Sequence, residues 1–172
     1  MSAETKILYL VRHAKSSWKD QSLADRDRPL NKRGERASPD MGQRMAAQGH
    51  KPDLIISSPA NRAISTARNI ARELGIEEFD IITEDDLYFS GAGGMLRVLE
   101  RLNNRYNRVM MVGHNPTITH VMNILGNTNI WNMPTCAIAV IGFDITFWAD
   151  LNEAEGELLG YDYPKGPGSF TP

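Results

Sequence analysis

Two short apolar runs that each end on a histidine constrain this chain more than any other feature in it. Ile7-Leu8-Tyr9-Leu10-Val11 leads without a break into Arg12-His13, and Val109-Met110-Met111-Val112 leads through Gly113 into His114. A run of four or five apolar residues suits a buried strand and is too short for most helices. Strands that read as continuous apolar runs belong to largely parallel sheets covered on both faces. In such sheets ligands bind outside the carboxyl ends of the strands. A guanidinium and an imidazole placed there suit anion recognition and nucleophilic or proton-transfer chemistry.

The rest of the chain repeats the alternation. Asp53 to Pro59 contains a second short run, Phe79 to Thr83 a weaker one, and Ala137 to Phe143 another, which Glu157 to Tyr161 could pair with. Between them lie helical segments. Asn31 to Gln48 is either one kinked helix or a turn plus a helix, with Asn31 as a cap, Pro39 near a second start and Gly49 closing it. Ile64, Ala67, Ala71 and Leu74 recur at helical spacing over Arg62 to Leu74. Gly91, Gly93 and Gly94 mark a loop before a helix carrying Met95, Leu96, Leu99 and Leu102. Asn115-Pro116 reads as a cap and first-turn proline for a helix with Ile118, Val121, Met122 and Leu125. The pattern predicts βαβ units and an α/β fold. The strand ends at His13, Ser58 and His114 then share one edge of the sheet, and the polar stretch Lys15 to Arg28 leaves that edge as a long loop.

Length and charge narrow the function. The 172 residues are expected to form a single domain, 1–172, and 19 Lys plus Arg against 21 Asp plus Glu leave a net charge of -2. That offers no general attraction for nucleic acid or a membrane surface. The N-terminus through Glu4 lacks the apolar core of a secretory signal, and no apolar run approaches membrane-spanning length, so a cytoplasmic location is expected. The lone Cys136 precedes an apolar strand and reads as packing, as do Met41, Met45, Met110 and Met111.

Arg12 and His13, Arg62 at a helix opening, and His114 just before another helix together form an anion site suited to phosphate. Acidic residues begin only at Asp20 after the first strand, so the pocket is expected to stay electropositive. No grouping has metal-ligand spacing, and no metal or other cofactor is expected. Lys15 and Ser16 follow His13 closely enough to touch a bound phosphate. Trp18 either packs or lines the mouth, His120 reads as a structural residue within a helix, and His50 as a solvent-exposed loop residue.

Leu10-Val11-Arg12-His13-Ala14 resembles the R-H-G signature of the histidine phosphatase superfamily, whose fold is that of the cofactor-dependent phosphoglycerate mutases. Ser57-Ser58-Pro59-Ala60-x-Arg62-Ala63-x-x-Thr66-Ala67 is similar to its second motif, and Val112-Gly113-His114-Asn115 to its third. Arg28-Pro29-Leu30-x-x-x-Gly34 and Met133-Pro134-Thr135-Cys136-Ala137 resemble the SixA-type phosphohistidine phosphatase branch. The resemblance implies a three-layer α/β/α sandwich with a mostly parallel, mixed central sheet and no cap domain. It implies a metal-independent phosphatase in which neutral His13 is the nucleophile, Arg12, Arg62 and His114 hold the phosphoryl oxygens, and Arg28 is a further contact. Its substrate would be phosphohistidine in a phosphorylated protein partner. A small phosphoester metabolite and a non-catalytic phosphate-binding module are the alternatives. Ala14 stands where the family has glycine, and Asn115 where the acid-phosphatase branch has an aspartate. Glu84, Asp85 and Asp86 lie where the mutase branch places a glutamate, and are either a proton donor or a solvated turn. A site without an acid suits phosphoramidates better than sugar phosphates, because an alkoxide needs a proton to leave.

Overall fold

The computed structural model describes residues 5–172, so the reading of the N-terminus through Glu4 lies outside the described residues. Six strands form one sheet: β1 (Lys6–Arg12), β2 (Leu54–Ser57), β3 (Ile82–Thr83), β4 (Arg108–Gly113), β5 (Ile138–Phe143) and β6 (Glu157–Asp162). Their order is β3-β2-β4-β1-β5-β6, with β1 to β4 mutually parallel and β5 antiparallel to both β1 and β6. The α-helices are α1 (Lys32–Ala47), α2 (Asn61–Glu73), α3 (Asp86–Phe89), α4 (Gly91–Glu100) and α5 (Thr117–Gly126).

The period-2 geometry of a strand sends alternate side chains to opposite faces, and here both faces are apolar. Leu8, Leu10, Val109 and Met111 join one core with Met95 and Leu99 of α4 and Val121 and Met122 of α5. Tyr9, Val11, Met110 and Val112 join the other with Met41 and Met45 of α1 and Ile70 of α2. The result is the expected three-layer α/β/α sandwich with a mixed, mostly parallel sheet. Cys136 is wholly buried, consistent with packing, and its thiol is pushed up to about 12 by that burial. Among the described residues no helix is long and apolar enough to cross a membrane.

Some local expectations are corrected. Asn31 to Gln48 holds one helix, with Asn31 accepting from the Gly34 N–H and Pro39 accommodated inside it. Gly49, at φ +76°, ends it. The strand expected at Phe79 to Thr83 shrinks to Ile82–Thr83, because the acidic Glu78–Asp80 stretch turns as a 3₁₀ helix and Phe79 points into solvent. This is a sheet edge, where only one side rewards extended chain. Gly91, Gly93 and Gly94 are the first turn of α4 rather than a loop, and Gly94 lets that turn pack on Ser90. His50 is half-buried, its Nδ1 3.3 Å from the Tyr9 hydroxyl and its ring edge-on to Phe170. His120 is exposed on α5 rather than structural.

Gly34 ties the fold to the strand edge of interest. The Asn31 N–H donates to the Lys15 carbonyl at 2.9 Å, and a Cβ on Gly34 would lie 2.2 Å from that same oxygen. Only glycine lets the first turn of α1 sit against the chain just after His13. Gly34→Ala is therefore expected to lower stability by about 1–3 kcal/mol, the cost of overpacking against backbone, read as a fall in the denaturant midpoint.

Candidate active site

Sheet register brings the strand ends together. Arg12 pairs with Gly113 and Ser57 with Val112, and the His13 and Ser58 N–H groups donate to the Gly113 and Val112 carbonyls at 3.0 and 2.9 Å. The next residues in line are His13, Ser58 and His114, and the two imidazole centroids are 5.1 Å apart. Arg62 arrives from the first turn of α2. The Thr66 hydroxyl, which donates to the Arg62 carbonyl at 2.7 Å and accepts from the Ala14 N–H at 2.9 Å, locks that turn to the end of β1. The small Ala14 is fully buried at this junction.

A cleft of about 420 Å³ collects Arg12, His13, Lys15, Ser16, Arg28, Arg62 and His114, all seven residues expected from sequence, with Trp18, Asn115 and Thr135 at its margin. A larger cleft of about 550 Å³ lies at the amino ends of β2 and β3 and gathers no imidazole or guanidinium. Among the described residues no three His, Cys, Asp or Glu side chains cluster as a metal site requires.

The His13 ring has a defined orientation. Its Nδ1 is 2.7 Å from the Ala14 carbonyl. A carbonyl only accepts, so Nδ1 carries the proton and Nε2 keeps its lone pair. Burial, reinforced by Arg62, Arg12 and Arg28, lowers the ring to about 4 against the opposing pull of the Ala14 carbonyl. Burial, then His13 and Arg62, lowers His114 to about 3. Both rings are neutral at pH 7.

Donors around them await an acceptor. The Arg12 guanidinium donates to the Met133 carbonyl at 2.8 Å, yet its Nε is buried without a partner. His114 Nε2 is 2.7 Å from the Ser58 hydroxyl, while its Nδ1 is also buried and unpartnered. Buried polar nitrogens are almost always paired, and the two orphans belong to side chains that line one cleft, which suits a site that receives a polar ligand.

The structure corrects the expectation of a purely electropositive pocket. Asp25, on a 3₁₀ turn of the loop after β1, pairs with Arg62 at 2.9 Å and Arg28 at 3.1 Å and accepts from the Tyr88 hydroxyl at 2.6 Å. The Tyr88 hydroxyl foremost, with both guanidiniums, holds the Asp25 carboxyl well below the usual carboxylate range. Sequence reading missed it because the contact is made by loop folding rather than by proximity to a motif. Its place three residues before the Arg28-Pro29-Leu30 segment is the available signal. Arg28 also stacks over Trp18 at 3.2 Å, so Trp18 lines the mouth while remaining largely exposed. Glu84 and Asp86 line a different cavity, beside Leu102 and Tyr106, and Asp85 faces solvent. Asn115 does not cap α5. The Asn115-Pro116 bond is cis, and the Asn115 side chain is drawn to Thr119 at 2.6 Å and to the Met133 carbonyl at 3.1 Å.

Residues 8–88 match the model of the histidine phosphatase superfamily, branch 1, and this match together with the structural neighbours supports a histidine-nucleophile phosphatase. Among solved structures the chain is similar to proteins designated SixA. A protein designated SixA from Nakamurella multipartitia superposes with a TM-score of 0.81 at 25% identity, over 96% of this chain and 100% of that one. The protein histidine phosphatase SixA solved with tungstate gives 0.78 at 21% identity, over 92% and 97%. An uncharacterized chloroplastic protein of Arabidopsis thaliana is 32% identical over 142 residues, which is 78% of this chain and 65% of that protein's length.

Two outcomes follow from the geometry. In an NMR titration of the imidazole protons, both rings stay neutral to about pH 5; titration near 6.5 would contradict the burial described. Unfolded histidine takes up its proton near 6.5. The unfolded chain therefore binds more protons than the folded one between there and about 4, and stability falls as pH drops through that window. Asp25→Asn removes a charge competing for Arg62 and Arg28. Inorganic phosphate is expected to bind it about two- to fivefold tighter by calorimetry, the scale of a partly exposed ion pair.

Proposed function

We propose that this protein hydrolyses phosphohistidine in a protein substrate through a covalent phosphoenzyme intermediate on His13. The observation that carries this reading is the neutral His13 ring, turned by the Ala14 carbonyl so that Nε2 keeps a lone pair among three guanidiniums. A protonated imidazole cannot attack; a neutral one beside bound phosphate can.

In the first step the Nε2 lone pair forms a bond to phosphorus as the P–N bond to the substrate imidazole breaks, with the reacting nitrogens in line. The substrate ring, protonated on its other nitrogen, takes the bonding electrons and leaves neutral. Phosphorylated His13 is then an imidazolium whose Nδ1–H donates to the Ala14 carbonyl. In the second step water attacks phosphorus, the electron pair returns to Nε2, and the proton lost by water passes to solvent. Arg12, Arg62 and His114 take the phosphoryl oxygens, satisfying the orphaned nitrogens, and Arg28, Lys15 and Ser16 add further contacts once the anion displaces Asp25.

Among the described residues no acid is placed to protonate a leaving group in the cleft, which favours this substrate over an alkyl phosphoester. Asp25, paired with Arg62 and Arg28, is held ionised, and Glu84 and Asp86 line another cavity. The surroundings favour a macromolecule. Trp18 and Phe89 are about 70% exposed and Trp131 nearly fully so. Phe89 packs on Tyr88, whose ring is 5.4 Å from His114, and Trp131 precedes Asn132, which accepts from the Asn115 amide. Exposed aromatics around a cleft are characteristic of protein-binding surfaces.

The test compares a phosphohistidine peptide, an aryl phosphate and a sugar phosphate in excess EDTA. The peptide is expected to turn over fastest and the sugar phosphate scarcely at all. His13→Ala should abolish turnover, and Arg62→Ala should lower kcat/KM by about two to three orders of magnitude. Near-normal activity of His13→Ala would overturn the assignment, and preference for the sugar phosphate would replace it with a metabolite phosphatase.

A further inference from the structure

A second cavity, of about 270 Å³, opens beside the phosphate cleft and shares Lys15 and Thr135 with it. Its surface is mainly apolar, supplied by Ala37 of α1 and by Pro134 and Pro164. Its rim is cationic: Lys15, Arg33 and Lys165 are all exposed, and none of the three forms an ion pair among the described residues. Three unpartnered cations around one hollow repel each other, and the potential they set up favours an incoming anion.

The walls are held from behind. The Lys15 backbone is clamped by Asn31 and Gly34. The Pro134-Thr135 turn is anchored where the Cys136 N–H donates to the Arg12 and His13 carbonyls at 3.0 and 3.2 Å. The Tyr163-Pro164 segment is fastened by Arg44, which donates to both carbonyls at 2.9 Å and pairs with the fully buried Asp162 at 2.9 Å. A cavity so preorganised loses little entropy when it is filled.

An apolar hollow with a cationic rim is a poor match for inorganic phosphate, which has no apolar surface. It matches a side chain with a methylene stem and a carboxylate head, and Lys15 makes the hollow continuous with the phosphoryl position. We infer that this cavity receives an acidic side chain flanking the phosphohistidine of the protein substrate, so that the enzyme selects phosphohistidines in an acidic context. The inference rests on the phosphohistidine reading of the neighbouring cleft.

The experiment uses two phosphohistidine peptides that differ only in glutamate against glutamine at the flanking positions, with an aryl phosphate as reference. Wild type should show a KM about five- to tenfold lower for the glutamate peptide, with kcat unchanged and the advantage shrinking as salt rises, as expected for two or three exposed ion pairs. In the Arg33→Ala/Lys165→Ala double variant that advantage should fall below about twofold while aryl phosphate turnover is unaltered. Equal KM values for the two peptides in wild type would overturn the assignment of the cavity and leave the phosphohistidine reading standing. Turnover of the aryl phosphate with neither peptide hydrolysed would overturn both. A double variant that weakens all three substrates alike would also overturn it, because the residues would then be acting on the cleft itself.

Discussion

The parallel ladder between β1 and β4 is the constraint on which the rest of the structure depends. Its register sets Arg12 opposite Gly113, so the residue after each is a histidine, and the His13 N–H extends the ladder by donating to Gly113. A slip of one residue would turn alternate side chains to the wrong face. Leu8 and Leu10 would leave the α4 and α5 side, Tyr9 and Val11 the α1 and α2 side, and two apolar cores would have to be repacked at once. The packing of buried side chains thus holds two imidazoles within reach of one anion.

Burial that secures this register also sets the chemistry. Removing His13 and His114 from water beside guanidiniums disfavours the imidazolium, which leaves neutral rings where an anion must bind. The guanidiniums supply the attraction. Asp25 balances them, pairing its carboxylate with Arg62 and Arg28. Exchange of one anion for another costs far less than leaving buried cations unpaired.

Beyond the cleft, the surface carries the information about substrate class. The exposed Trp18, Phe89 and Trp131 and the cationic hollow beside Lys15 lie where a large partner would rest. These features belong to loops and helix ends rather than to the sheet, as expected where function varies on a constant scaffold.

The apolar runs ending at His13 and His114 were readable because burial on both faces of the sheet imposes a local pattern, and the helical period through Ala67, Ala71 and Leu74 because burial of one helix face does the same, although Ile64 lies off that face. So was the cleft itself, since parallel connection alone sends those strand ends to one edge. The Phe79 segment misled because an edge strand has one side left unsatisfied, and the three glycines before Met95 because low helix propensity did not keep them out of the first turn of α4, where Gly94 lies close against Ser90. What only tertiary structure decided was every contact between segments distant in sequence: Asp25 on Arg62, the Thr66 hydroxyl accepting from the Ala14 N–H beside the His13 ring, and Arg44 fastening the wall of the second cavity. Periodicity reports which face of an element is buried. It carries no record of which polar groups meet once the loops have closed, because those meetings depend on chain geometry summed over the whole fold.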